Sequence, residues 1–500
     1  MNQLLKMTGS FLGLMIFTLP FTVLPERYRL PILGGNLPQI FLLLAIIFFS
    51  CYVVKARKIE FPLKKYFTGF FLWSLFCLIW GVWNFPYYDA SIDEVLRNSR
   101  MVVIASEFFP ALQENACLLH VKMFLSYFWY MLKGFFFPFS GIAFIIYGMF
   151  RMGMAGELRT YLYWGIYGLS SLMVFYSIPE VIWLWTGNET CAWILSSINV
   201  HLYDPVLYNG WWPPLLWQGQ LRSLCLEPSY FGIITAFLVP FLAIDAQKKI
   251  NTWKILLIFL LIFMIFMTKA RTATVIYLGE SAVFFLLSLL FRYPGWKKVL
   301  LVWAVITISA FSVYLLGESM LHPNMNTKIL TEKYFDENVT SVVGENKRSN
   351  SARFGNTVAM IKIGVDYPVT GVGMGLHAPY MEERIPEFAK DNHEIRNWVK
   401  DMREKTFLES GLPVLNEYAA IFAWEGIFGL IFFLLLPLGV IVRGISGRRK
   451  QRDFQTISLL TALIGQLACM LSSEMFLTYP LTLWLVYCVL EKREKEWINN

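Results

Sequence analysis

Four basic residues stand beside apolar segments in the second half of the chain, where their charges could bind an anion. They are Arg222, Lys269, Arg271 and Arg353. A planar guanidinium binds phosphate through two parallel hydrogen bonds. The short segments around these residues hold no matching excess of acidic residues. The pattern predicts a phosphate or diphosphate site, with Arg222 and Arg271 as its main donors and Arg353 as a third.

Each basic residue taken alone also fits a simpler role. Arg222 would extend its charge to the membrane surface, and Glu227, just before Pro228, would cap a helix. Lys269 and Arg271 would anchor a tight turn at the same surface. The placement of all four cations on one predicted side of the membrane is what favours an anion site.

A transfer reaction at such a site needs a group that accepts a proton. Glu227 lies beside the cations, Glu417 lies at the start of an apolar segment, and His377 directly follows a glycine run. The sequence does not choose between these three candidate bases. His377 also fits an ordinary loop histidine.

Further residues could contact the bound molecule. The run Gly371-Val372-Gly373-Met374-Gly375 would let backbone N–H groups approach an anion or a sugar. No strand surrounds the run, so it is not a dinucleotide-binding fingerprint. Tryptophan rings offer faces on which sugars stack. The candidate substrate-binding residues are Lys269, Gly373, Gly375, Asn416, Trp212 and Trp217.

Metal chemistry has no candidate ligands in the sequence. No two of the five histidines have the spacing of a metal site, and no acidic cluster joins them. We therefore expect neither a metal ion nor another cofactor.

The elements that would position these residues are membrane helices. Apolar residues make up 56% of the 500-residue chain and charged residues only 16%, against about 25% in soluble domains. The net charge of +8 needs no nucleic-acid partner, because basic cytoplasmic loops account for it. Apolar runs predict twelve spans, at about 8–24, 38–54, 66–85, 134–150, 161–186, 229–246, 254–268, 272–291, 298–316, 418–442, 456–473 and 475–490.

The distribution of Lys and Arg sets the predicted orientation. With the N-terminus inside, every inner connection and the C-terminal tail carry at least two basic residues. The fold class is therefore all-α, with about twelve transmembrane helices, both termini in the cytoplasm, and a large helical periplasmic loop between helices nine and ten. The aromatic segment His120–Lys133 is either an interfacial helix or the start of a long fourth span.

Three regions follow from this topology. Residues 1–316 hold helices one to nine with an outer loop at about 187–228; residues 317–417 form the large loop; residues 418–500 hold helices ten to twelve and the tail. In the large loop, Phe354, Val358, Ile361 and Val365 recur at helical spacing and predict a helix that ends at Tyr367-Pro368. The charged residues 379–409 predict a second, exposed helix.

Three motifs together resemble the superfamily of O-antigen ligases and Wzy-type polysaccharide polymerases. They are Arg271 in a turn between spans, Arg353 followed by Pro368-Val369-Thr370-Gly371-Val372-Gly373-Met374-Gly375, and Asn416 with Gly426 and Gly429. The resemblance covers about residues 220–475, and the N-terminal half only in topology. It implies a metal-independent, inverting glycosyltransferase that uses glycans linked to undecaprenyl diphosphate.

The resemblance favours a polymerase. Ligases of this superfamily carry a histidine, proposed as catalytic, directly before the position of Asn416, and this chain has Leu415 there. We expect transfer of a growing glycan from its undecaprenyl diphosphate onto a new lipid-linked repeat unit. The runner-up is a ligase that transfers the glycan to lipid A core.

A flippase is the weaker alternative, since it would more often show paired halves and charges buried in its spans, and the sequence shows neither. The expected location is the bacterial inner membrane, with the active site on the periplasmic side. The expected partners are the undecaprenyl-diphosphate-linked oligosaccharide, the bilayer and a chain-length regulator protein.

Overall fold

The computed structural model describes residues 2–30, 34–56, 63–88, 97, 100–109, 116–203, 219–248, 251–342, 348–405, 412–446 and 453–498. Their regular structure is helical, and one isolated bridge between Leu30 and Gly34 is the sole extended pairing among them. The predicted all-α class is confirmed. The α-helices are α1 Asn2–Phe17, α2 Leu37–Ala56, α3 Lys64–Trp83, α4 Arg100–Phe108, α5 Ala116–Met131, α6 Phe137–Arg151, α7 Ala155–Thr186, α8 Glu189–Leu202, α9 Pro228–Lys248, α10 Thr252–Met267, α11 Arg271–Phe291, α12 Trp296–Leu321, α13 Thr327–Asn338, α14 Arg348–Asp366, α15 His377–Arg384, α16 Glu387–Lys390, α17 His393–Lys405, α18 Glu417–Ser446, α19 Phe454–Cys469 and α20 Thr478–Ile498.

Eight helical segments in the described residues are long and apolar enough to cross a membrane. They are α2, α3, the continuous segment Leu118–Arg151, α7, α9, α11, α12 and α18. Helices α1, α10 and α19 are apolar but shorter. The chain is therefore a polytopic membrane protein. Each of the twelve predicted spans overlaps a helix, while the count of twelve crossings and the side of the large loop stay predictions.

The aromatic segment before residue 134 continues directly into a membrane helix. Helices α5 and α6 are joined by a π-helical turn, Leu132–Phe136, and form one apolar segment of 34 residues, Leu118–Arg151. Pro138 lacks an N–H group, so the carbonyl of Gly134 has no partner four residues ahead. The structure thus joins His120–Lys133 to the predicted fourth span in one continuous helical segment, with a wider turn where the proline enters.

Small residues bring the helices around the site close together. Helix α11 packs against α9 and α19, and α9 also packs against α19. A side chain at Gly232 of α9 would overlap Ala273 of α11, and one at Gly465 of α19 would overlap the carboxylate of Glu280. These contacts hold the starts of α9 and α11 beside the end of α19.

Helix α18 is broken at Gly426, which has φ 66° and ψ −165°. The break exposes two main-chain acceptors: Val372 N donates to Ala423 O and Gly373 N donates to Trp424 O, both at 2.9 Å. The backbone at position 426 favours glycine. A side chain there would overlap the carbonyl of Val369 from the large loop.

The described residues between 317 and 417 are mostly helical, but their second part differs from the prediction. Helix α14 contains the predicted helix, and its apolar stripe faces outward, with Phe354, Ile361 and Val365 exposed. Residues 379–405 do not form one helix, and the rest of the predicted segment, 406–409, lies outside the described residues. They contain α15, α16 and α17, because Pro386 and Asn392 begin new turns.

Candidate active site

A cavity of about 660 Å³ opens where α9, α11, α14 and α19 meet. We call it the arginine cavity. It brings together five of the predicted site residues: Glu227, Lys269, Arg271, Arg353 and Asn416. Leu415, which precedes Asn416 in the motif described above, also lines it.

The guanidinium groups of Arg271 and Arg353 are held by neutral acceptors. Arg271 donates to the side-chain oxygen of Asn350, and Arg353 donates to Ser472 O at 2.9 Å. Across the described part of the chain, neither arginine forms an ion pair. The two like charges repel each other. An anion bound between them would remove that repulsion and gain charge-assisted hydrogen bonds.

Lys269 lines the same cavity, but its charge is already neutralised. Its Nζ lies 2.9 Å from Oε1 of Glu318, a buried residue of α12. The backbone at Lys269 has φ 46°, and its carbonyl accepts a hydrogen bond from Gln220 at 3.0 Å. Lys269 thus fixes the turn before α11 and adds little net charge to the cavity.

Arg222 does not line the arginine cavity. It is 3% exposed, and its guanidinium donates to Cys225 O at 3.0 Å and to Tyr176 Oη at 3.3 Å. The Tyr203 ring lies 4.6 Å below it. The carboxylate of Glu180 accepts the backbone N–H of Arg222 at 2.8 Å. These contacts use the guanidinium to fix the loop before α9, and the structure therefore separates Arg222 from its predicted partners.

The three candidate bases lie in different places. Glu227 lines the arginine cavity, and its carboxylate accepts a hydrogen bond from Ser229 Oγ at 3.1 Å. Glu417 lines a second cavity of about 310 Å³, which also contains Glu474. Its Oε2 accepts the N–H of Met475 at 3.0 Å. We call this second space the carboxylate cavity. Desolvation raises the pKa of the Glu474 carboxyl above its ordinary value.

His377 is committed to structural contacts. Its Nδ1 accepts a hydrogen bond from Trp424 Nε1 at 2.9 Å, so its Nε2 carries the proton and donates to Leu412 O at 3.2 Å. Burial lowers the pKa of His377 to about 4. The ring is 6% exposed and lines neither cavity. This geometry gives His377 no path to an acceptor hydroxyl.

The predicted binding glycines have a packing role. The N–H of Gly373 donates a hydrogen bond to Trp424 O, and a side chain at Gly375 would overlap the ring of Tyr127. Asn416 instead joins elements around the arginine cavity: its Oδ1 accepts Ala419 N at 3.0 Å, and its Nδ2 donates to Leu471 O at 3.2 Å. Trp212 and Trp217 lie outside the described residues.

The structure adds a residue that the sequence analysis missed. Glu280 lies nine residues into α11, about 13 Å from its start and so near the middle of a hydrocarbon layer of about 30 Å. It is 7% exposed, lines the arginine cavity, and its Oε1 has no hydrogen-bond partner in the described residues. The statement that no charged residue is buried in a span was wrong, since Glu180 and Glu425 are also buried within helices. An acidic residue inside an apolar run was the available signal.

Within the described ranges, no group of three or more His, Cys, Asp or Glu side chains could hold a metal ion. Comparisons with protein-family profiles, curated proteins and solved structures find no match to this chain. Fold and site define a class, a polytopic helical membrane protein with a paired-arginine cavity at one end of its bundle. The resemblance to polymerases and ligases stays a prediction that rests on the motifs themselves.

Proposed function

We propose that the chain is a membrane glycosyltransferase that polymerises a surface polysaccharide from lipid-linked repeat units. The observation that carries the proposal is the pairing of Arg271 and Arg353, which come from segments about eighty residues apart and line one cavity, where neither forms an ion pair with a described carboxylate. Such a pair is suited to a diphosphate, because each guanidinium can donate two hydrogen bonds to it.

The walls of the arginine cavity also suit a lipid. Beyond the arginines the lining along α11 and α19 is mainly apolar but includes Glu280, with Val275, Val283 and Ile464 among its apolar residues. The space opens to the side of the bundle, where Val275 is 38% and Leu471 60% exposed. A diphosphate at the arginines could therefore extend a polyprenyl chain along α11 into the bilayer. An anion without a lipid would not need this side opening.

The reaction follows from this placement. The oxygen of an acceptor hydroxyl attacks the anomeric carbon of the donor sugar, and the bond from that carbon to the diphosphate oxygen breaks. The electron pair of that bond leaves with the diphosphate, and Arg271 and Arg353 stabilise the added charge. The hydroxyl proton passes to a carboxylate. Glu227 in the arginine cavity and Glu417 or Glu474 in the carboxylate cavity are positioned as candidates.

Two observations bear on the alternatives. Leu415 lines the arginine cavity where a ligase would carry its histidine, and leucine can neither donate nor accept a proton. This supports a polymerase over a ligase. Glu280, a buried carboxyl at membrane depth in the same cavity, is the feature that favours a transporter.

The surface glycan of a deletion strain tests the three functions. For a lipopolysaccharide-linked glycan, loss of a polymerase should give core capped with one repeat unit and no ladder, and a plasmid copy should restore the ladder. Bare core with long lipid-linked polymer would identify a ligase instead. Bare core with single repeat units retained on the cytoplasmic side would identify a flippase.

A further inference from the structure

A third space, on the far side of the carboxylate cavity, is a groove of about 440 Å³ between α2, α3 and the π-helical turn. We call it the side groove. Its walls are mainly apolar, with Leu43, Phe71 and Phe137 among them. Lys133 lies in the groove beside Gln39, Thr68 and Ser140, which are uncharged.

Lys133 has no charge partner there. It makes no hydrogen bond or ion pair with any of the residues that the structure describes. Lysine near the end of a membrane helix usually extends its charge to the membrane surface. Lys133 differs in that it lies within the wide turn at Leu132–Phe136. Such π-helical turns often occur at functional sites. A cation at the head of an apolar groove is complementary to a lipid with an anionic head.

Lys133 lies at the same end of the bundle as the paired arginines. It precedes Arg151, the last residue of the same helical segment, by 18 residues, or about 27 Å, close to the thickness of the hydrocarbon layer. The carboxylate cavity is lined both by Gly134 and by Glu417, so the π-helical turn and the start of α18 lie at one level.

The three spaces form a row. The side groove and the carboxylate cavity share Gln39 as a wall, and the carboxylate cavity and the arginine cavity lie on either side of the segments 414–417 and 471–475. Tyr130, Trp424 and Phe476 face the middle space beside Glu417 and Glu474. Aromatic rings with carboxylates are a combination that binds sugars, through stacking and hydrogen bonds to hydroxyls.

We propose that the side groove is a second site for a polyprenyl phosphate lipid, with its phosphate at Lys133, its chain along α2 and α3, and its sugar in the carboxylate cavity. This rests on the proposed function in one respect, which is that the occupant is the acceptor glycolipid. The donor lipid occupies the arginine cavity. The acceptor hydroxyl and the anomeric carbon then approach each other between the two, and Glu417 or Glu474 accepts the proton.

Native mass spectrometry of the full chain in phosphatidylethanolamine nanodiscs, with undecaprenyl phosphate as the probe, counts the sites. The wild-type protein should bind two molecules. Lys133→Met should bind one, with affinity at the lost site reduced about ten-fold or more. Arg271→Gln combined with Arg353→Gln should also leave one, and the triple variant none. Thr68→Trp, which fills the groove and keeps the charge, should act like Lys133→Met.

Two control variants separate charge from folding. Lys133→Arg should keep two molecules, and so should Lys122→Met, which makes the same change earlier in the same helical segment. Two bound molecules in Lys133→Met, or equal displacement of the probe by phosphatidylglycerol, would overturn the proposal. If Lys133→Met binds two molecules but the deletion strain has lost its ladder, the second site is refuted and the proposed polymerase function stands. If Lys133→Met binds one molecule but the deletion strain keeps its ladder, the second lipid site stands and the polymerase function is refuted.

Discussion

Arg271 and Arg353 each donate a hydrogen bond to an uncharged acceptor, Asn350 and Ser472 respectively. Arg222 is surrounded by acceptors and by the ring of Tyr203. The first two guanidinium groups can therefore gain interactions when an anion arrives, whereas the third has already made its own. At the scale of single residues, this difference decides which arginines can bind an anion such as the diphosphate of the proposed reaction.

Replacing Arg271 or Arg353 with Gln should lower the polymerisation rate on the order of 10²–10³, because each group stabilises charge that develops only as the bond breaks. Lysine should restore little activity, since it lacks the paired donors. The measurement is the rate per folded protein, with lipid-linked repeat units as substrate. Arg403→Gln, which removes an exposed ion pair with Glu382, is the matched control and should have no effect.

Arg222→Ala should behave differently from both. It leaves buried acceptors unpaired and should lower the free energy of unfolding by about 1–3 kcal/mol, while the protein that folds keeps its rate. Normal rates in Arg271→Gln or Arg353→Gln, or a normal unfolding midpoint in Arg222→Ala, would contradict this division of roles.

The buried imidazole of His377 makes stability depend on pH. Burial lowers its pKa to about 4 from the ordinary histidine value of 6.5, so the unfolded chain binds the proton first as pH falls. This contribution to stability is fully present above pH 6.5 and decreases towards pH 4, by about 3 kcal/mol in all. Between pH 7 and pH 4.5, the unfolding midpoint of His377→Gln should fall by less than the midpoint of the wild-type protein. Parallel losses in the two proteins would show that other groups account for the acid sensitivity.

The cations themselves could be predicted from sequence, but their partners could not. The motifs placed Arg271 in a turn between spans, Arg353 in the large loop and Asn416 just before the tenth span, and the structure brings them into one cavity. Lys269 is neutralised by Glu318, 49 residues further along the chain. Pairings of that kind depend on which helices pack together, and sequence periodicity carries no such information.

At the scale of elements, the break in α18 is the feature that joins the large loop to the membrane helices. The backbone at Gly426 is in a region that favours glycine, and the N–H of Ile427 donates to Pro368 O at 2.8 Å instead of continuing the helix. The glycine run of the loop then pairs with the carbonyls that precede the break. The apolar run at 418–442, with its two glycines, predicts one continuous span. The break at Gly426 was for that reason not predicted.

Gly426→Ala should destabilise the protein by about 1–3 kcal/mol, because alanine is strained at this φ and its Cβ would overlap the carbonyl of Val369. Gly439→Ala, in the regular part of the same helix with no atom within 4 Å of the new Cβ, is the matched control. It should be neutral or stabilising by up to about 1 kcal/mol. Thermal unfolding in detergent measures both, and equal midpoints for the two variants would refute a strained break.

At the scale of the whole molecule, the lengths of the apolar runs were sufficient to locate a helix at each predicted span. Every predicted span overlaps a helix, because the length of an apolar run is a local property. The structure of the large loop was predicted less well, since Pro386 and Asn392 divide a charged stretch whose composition alone favours one helix. The interior cavities depend on packing between distant segments and could not be predicted at all.

Reporter fusions test the orientation of the whole chain. Fusions after residues 245, 295 and 450 should read cytoplasmic, because each follows or adjoins a basic connection, and a fusion near residue 390 should read extracytoplasmic. A cytoplasmic signal at 390 would reverse the orientation and place both cavities on the wrong side for glycan assembly.

The two backbone hydrogen bonds between the glycine run and α18 also limit how this protein can be recombined. The loop cannot be exchanged as a separate module, because Val372 and Gly373 would lose acceptors that exist only where the helix is broken. A chimera that transfers residues 348–446 together keeps the N–H donors of Val372 and Gly373, their carbonyl acceptors and the break at Gly426 in the same transferred segment. Recombination that preserves the fold is therefore expected to replace the loop and α18 as a single block.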